Sequence, residues 1–123
     1  MMKRIPWIGV DLDSTLAHYD SAFDTSHIGR PVGPMLERVK TWLQQGRTVK
    51  IFTARANPAS YRNKSDYDYV IAQIQDWCQE YIGQRLEVTC CKDFMMIELW
   101  DDRCVQVQPN TGIPVQDFWR HSL

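Results

Sequence analysis

Apolar positions along this chain fall into short blocks with two different periods. Residues 5–10 form a strand-length apolar run that stops at Asp11, and a short bounded run of this kind reads as a buried strand, with Pro6 tolerated at its start. After Pro34, which suits a first helical turn, Met35, Leu36, Val39, Trp42 and Leu43 recur at the spacing of one helix face, and Gly46 supplies a stop. Residues 48–53 predict a second strand. Asp66 is placed to cap a longer helix with the stripe Tyr67, Val70, Ile71, Ile74, Trp77, Cys78 and Tyr81, ended by Gly83. Further strands are predicted over 86–91, 97–100 and 104–107, and a short terminal helix over 115–121, with Phe118 and Trp119 turned inward. Residues 12–32 lack a helical period and read as a loop or irregular hairpin; residues 54–64 read as a polar loop. Strand, helix, strand in succession makes parallel crossover units. The expected architecture is a three-layer α/β sandwich with a mainly parallel sheet of about five strands.

Composition changes this picture little, but it narrows the function classes. At 123 residues the chain is expected to be a single domain, 1–123, without repeats or linkers. Fourteen basic against 15 acidic side chains argue against a nonspecific nucleic-acid binder, although a local basic patch would not show in the balance. The N-terminal apolar run is too short for a signal peptide or a membrane span. The cysteines Cys78, Cys90, Cys91 and Cys104 show no C-x-x-C metal spacing. In a strand, Cys90 and Cys91 would point to opposite faces and pair poorly. They are read as reduced core thiols of a cytoplasmic protein without membrane association. The five tryptophans fit core packing, with Trp100 buried in the sheet, and Met95–Met96 is read as core filler.

The candidate chemistry sits where strands end. Asp11 and Asp13 are one residue apart, so extended geometry places them on one side. In a parallel sheet, ligands bind outside the carboxyl ends of the strands. Those ends carry Asp11 and Asp13, Thr53, Lys92, and the pair Asp101–Asp102. Converging carboxylates make a hard oxygen site of the kind Mg²⁺ prefers, shared with a substrate phosphate. Thr53 and Lys92 can bind the transferring phosphoryl group. A carboxylate there can attack phosphorus, and its neighbour can protonate the leaving oxygen and then deprotonate water.

The run Asp11-Leu12-Asp13-Ser14-Thr15-Leu16 after an apolar strand, then Thr53, Lys92 and Asp101–Asp102 in that order, resembles the haloacid dehalogenase superfamily over residues 5–108. The resemblance implies a Rossmann-like fold and Mg²⁺-dependent phosphatase chemistry through an aspartyl-phosphate. It makes Asp11 the nucleophile and a metal ligand. Asp13 becomes the general acid/base, with its main-chain carbonyl on the metal. Thr53 and Lys92 bind the phosphoryl group, Lys92 also steadying the nucleophile, and Asp101 and Asp102 complete the metal site. The presence of Asp13 points to phosphate-ester hydrolysis, since halide departure needs no protonation. In receiver domains, the nearest look-alike, the paired acids come first, whereas here they come last.

Intervals between the motifs leave room for one helix and one strand each, so no cap domain is expected. Water exclusion then falls to a flap-like loop over 16–32, to a second subunit of a homo-oligomer, or to a large substrate. Arg55, next to Thr53, is a candidate for a second anionic group of the substrate, while Arg62 and Lys64 read as a solvated basic loop. His18 and His27 are read as surface or packing residues, since the aspartates cover the proton transfers, and His121 as structural or exposed. The substrate is a phosphorylated small molecule or macromolecule. Alternatives are a phosphatase for nucleic-acid ends or phosphoprotein, and a non-catalytic phosphate- or protein-binding module of the same fold.

Overall fold

The structure, a computed structural model, describes residues 4–19 and 26–116. Strand β1 (Trp7–Val10) leads through helix α1 (Gly33–Gln44) to β2 (Thr48–Phe52). Two short 3-10 turns, Ala54–Ala56 and Pro58–Ser60, precede helix α2 (Lys64–Tyr81), and strands β3 (Val88–Thr89) and β4 (Met96–Trp100) follow. The sheet is parallel throughout, in the order β3-β2-β1-β4. Gly46 and Gly83, both at positive φ, close the two helices where the sequence places their stops.

The core follows from strand alternation. Ile8 and Val10 of β1 and Val49 and Ile51 of β2 share a face. They form one buried cluster with Met35, Val39 and Trp42 of α1 and Val70, Ile74, Trp77 and Cys78 of α2. The alternate positions face the other way. There the indole of Trp7 is covered by Lys50, whose Nζ lies 4.6 Å from the ring centre, and donates to Asp93 Oδ1 at 2.9 Å. The two helical crossovers, β1 to β2 and β2 to β3, step in the same direction across the sheet, so right-handed connections bring both helices to one face. The described residues therefore give two layers; a third layer needs a helix on the opposite face, and none is present among them.

Several sequence expectations change. The sheet has four strands, not five. Residues 104–107 do not join it, because their chain folds back locally. Val107 bridges Pro114, Gln108 N–H donates to Ile113 O at 2.8 Å, and Val115 N–H to Gln106 O at 2.8 Å. The third strand shrinks from 86–91 to two residues. The Thr89 hydroxyl accepts the Cys91 N–H at 3.0 Å and turns the chain out of the ladder. The cap of α2 is Asn63, whose side chain accepts the Asp66 N–H at 2.9 Å, so Asp66 lies in the first turn. Of the thiols only Cys78 is core; Cys90 is half-buried and Cys91 and Cys104 are exposed. Trp100 is half-buried, with its ring 5.2 Å from that of Trp42, and Met95 and Met96 are half-buried rather than core. The predicted terminal helix lies mostly beyond residue 116, with Phe118, Trp119 and His121 outside the described residues.

The chain beyond β1 folds into a tight stalk. Leu16 and Ala17 N–H both donate to Leu12 O, and Ser14 adopts φ 69°. Residues 16–18 then pair antiparallel with 30–32, through His18 N–H to Arg30 O and Val32 N–H to Leu16 O, each 2.8 Å. Gly29 permits this closeness: a Cβ there would stand 1.9 Å from the His18 carbonyl oxygen. This stalk is the base of the flap predicted over 16–32, whose residues 20–25 lie outside the described residues.

Candidate active site at the carboxyl edge

Register brings the strand ends level. Val10 pairs with Ile51 on one side and Trp100 on the other, and Asp11 N–H donates to Trp100 O at 2.9 Å. Thr53 N–H likewise donates to Thr89 O at 2.9 Å. Asp11 thus follows the central strand, with Thr53 on one flank and Asp101–Asp102 on the other. All of these residues line an open cleft of about 560 Å³, together with Asp13, Ser14, Tyr19, Phe52, Ala54, Asn57, Cys90 and Arg103.

One carboxylate oxygen from each of Asp11, Asp101 and Asp102 lies within 4.8 Å of the other two. The Thr15 hydroxyl is 3.3 Å from Asp11 Oδ2 and 3.5 Å from Asp102 Oδ1. Asp101 Oδ1 accepts the Arg103 N–H at 2.7 Å, which fixes the turn after β4. Burial, and after it the charges of Asp101 and Asp102, push the Asp11 carboxyl up to about 7, against the smaller opposing pull of Thr15. The donor set is all oxygen and rich in negative charge. Its chemistry fits a hard divalent cation, which would relieve the repulsion that raises Asp11.

Asp13 is held differently. Arg55 Nε donates to its Oδ2 at 2.8 Å and Nη2 to its Oδ1 at 2.9 Å, a fork on both carboxylate oxygens. Arg55 Nη2 also donates to the His27 carbonyl at 2.7 Å. Its place beside Thr53 makes Arg55 a candidate for a second anionic group of a ligand; the structure buries it, at 4% exposure, against Asp13. Thr53 is also buried and caps the turn, its hydroxyl accepting the Arg55 N–H at 3.1 Å. His18 and His27 are exposed, consistent with surface roles.

Lys92 is exposed and is not among the residues lining the cleft. It lies close enough to Cys104 to oppose, as the weakest influence, the rise in that thiol, which partial desolvation and then Asp101, Asp11 and Asp102 produce. Thr15, against Asp11 and Asp102, and Cys90, in the cleft lining, also belong to the site, although no motif role marks either of them. Thr15 stands four residues after Asp11 in the same motif, and Cys90 directly follows the last paired residue of β3. The strand-end rule points to Cys90 once the short β3 is known.

No family model and no curated protein matches the sequence. Among solved structures, a conserved protein from Bacteroides thetaiotaomicron is similar in fold. Its TM-score is 0.57 at 16% identity, over 82% of this chain and 78% of that one. At that identity the likeness extends to the α/β fold with its parallel sheet. No helix among the described residues is long and apolar enough to cross a membrane.

Proposed function

We propose that this chain is a capless, haloacid-dehalogenase-like phosphatase that hydrolyses a phosphate monoester through an aspartyl-phosphate on Asp11. One observation carries the reading: three carboxylates within 4.8 Å at the carboxyl edge of a parallel sheet, sharing a cleft with Thr53 and Asp13. Asp11 Oδ attacks phosphorus as the bond to the leaving oxygen breaks, and Asp13 gives that oxygen a proton. Water then attacks the aspartyl-phosphate, Asp13 takes its proton, and inorganic phosphate leaves with the Asp11 carboxylate restored. Thr53 N–H is engaged in the sheet, so its contribution to phosphate binding comes from the hydroxyl.

Asp11, Asp101, Asp102 and the Asp13 carbonyl are the groups that would hold Mg²⁺. When bound, the ion supplies charge neutralisation for a phosphoryl group brought beside carboxylates. Lys92, on the exposed turn after β3, is assigned to the transferred phosphoryl group and would have to swing inward to reach it.

The test is a screen of phosphate esters with Mg²⁺, comparing wild type with Asp11→Asn. Turnover should fall by at least about 10³-fold in the variant, the scale of losing a covalent nucleophile. Turnover that survives the substitution refutes the assignment. A second reading, a non-catalytic phosphate-binding module, draws on the absence of Lys92 from the cleft lining. It predicts phosphate and Mg²⁺ binding by calorimetry without turnover of any ester.

A further inference from the structure

Arg55 is the buried cation of this site, and its position is over-determined. Its N–H is held by the Thr53 hydroxyl at 3.1 Å and its carbonyl accepts the Tyr61 hydroxyl at 2.6 Å. With the backbone fixed on both sides, the guanidinium reaches Asp13 with two donors at 2.8 and 2.9 Å and the His27 carbonyl with one at 2.7 Å. Asp13 keeps 23% of its side chain exposed and still lines the cleft. The fork occupies one lone pair on each carboxylate oxygen, so it sets the plane of the carboxyl and leaves its remaining lone pairs to the cleft. The same guanidinium holds the returning limb of the flap. Gln73 Nε2 and Trp77 Nε1 of α2 hold that limb too, through the carbonyls of Ser26 and Gly29 at 2.8 and 3.0 Å.

We infer that Arg55 is a positioning residue that couples the flap to Asp13 and thereby determines which esters the site can cleave. The inference rests on the phosphatase reading for its substrate half and on geometry alone for its flap half. A proton donor matters in proportion to the basicity of the leaving oxygen. An alkoxide needs its proton as the P–O bond breaks, whereas p-nitrophenolate leaves without one. A carboxyl displaced by a few tenths of an ångström loses most of its effect on the first class and little on the second. Arg55 thus sets the preference for alkyl phosphates over aryl phosphates. An ordinary buried ion pair would make no such distinction, since its loss would lower stability and all activities together.

Arg55→Lys keeps the charge and loses the fork, and Tyr61→Phe loosens Arg55 without touching the charge pair. Wild type and both variants would be assayed with Mg²⁺ on β-glycerol phosphate and on p-nitrophenyl phosphate. In Arg55→Lys, kcat on the alkyl ester should fall by about 10²-fold or more, the scale of general-acid catalysis, with a loss under about 10-fold on the aryl ester. Tyr61→Phe should show the same selectivity in smaller measure. Equal losses on both esters, or none, overturn the substrate half. Amide hydrogen exchange at His18 and Val32, whose N–H groups close the flap stalk, reads the flap half in the same proteins. Faster exchange in the variants supports the coupling, and unchanged protection overturns it. A wild type that turns over neither ester removes the phosphatase reading and the substrate half with it, while hydrogen exchange still decides the coupling. Should Arg55→Lys fail to fold, Tyr61→Phe carries both measurements.

Discussion

Asp11 carries two demands that conflict: it follows the buried central strand, and it faces two more acids. Its folded carboxyl is pushed up to about 7, against about 3.9 in an unfolded chain. Between those values the folded state binds the proton more tightly, so without metal it is favoured at low pH. That contribution is fully present below about pH 4 and is lost as pH rises to about 7. Melting the metal-free protein and Asp11→Asn from pH 4 to 8 should show the advantage of the variant growing with pH. A pH-independent gap between the two would refute this account. Asp93 runs the other way. The Trp7 indole and then the Met95 amide lower it, so its contribution is present above the usual carboxylate range and fades as the solution is acidified.

At the scale of elements, the flap stalk is the least forgiving. Gly29→Ala would drive a Cβ to 1.9 Å from the His18 carbonyl oxygen, and the obstacle is backbone, which cannot swing aside as a side chain could. A loss of about 2 kcal/mol or more is expected in denaturant unfolding. Gly33→Ala, at the start of α1 with nothing within 4 Å of the new Cβ, should change stability by less than about 1 kcal/mol. The helices were readable because their stripes are long. Val70, Ile74 and Trp77 repeat over several turns, and the apolar run before Asp11 is bounded by a charge. Strands β3 and the segment 104–107 misled for one reason. Apolar alternation marks a chain fit to pair but does not name its partner, and local hydrogen bonds of Thr89, Gln106 and Gln108 claimed those groups first. The aspartates, Thr53 and the acid pair were legible because strand-end placement follows from topology. The grip of Arg55 on Asp13 was not, since it depends on a 3-10 turn that no periodicity marks.

For the whole molecule, three acids from both ends of the described chain come together, so the proposed cation site would link β1 and β4. Mg²⁺ that binds only the folded state adds about 2.7 kcal/mol at 100-fold its Kd, a rise in Tm on the order of 10 °C for a domain of this size. Thermal melts of wild type, Asp101→Asn and Asp102→Asn with and without Mg²⁺ would show which acid binds directly, because its variant loses the shift. A wild type whose Tm ignores Mg²⁺ would refute the cation site.

The parallel pairing of β1 with β4 has a kinetic consequence. Thr15 and Asp102 meet across 87 residues of sequence, whereas the β1–β2 partners Trp7 and Thr48 are 41 residues apart. Closing the longer loop costs more entropy before any contact rewards it, by about 0.6 kcal/mol for a doubling of length. The last edge of the sheet to zip is then the one that assembles the acids. An ion bound there has nothing to grip in a half-folded chain. It should slow unfolding and leave the refolding rate almost untouched, so that a loaded protein resists proteolysis for longer without folding any faster.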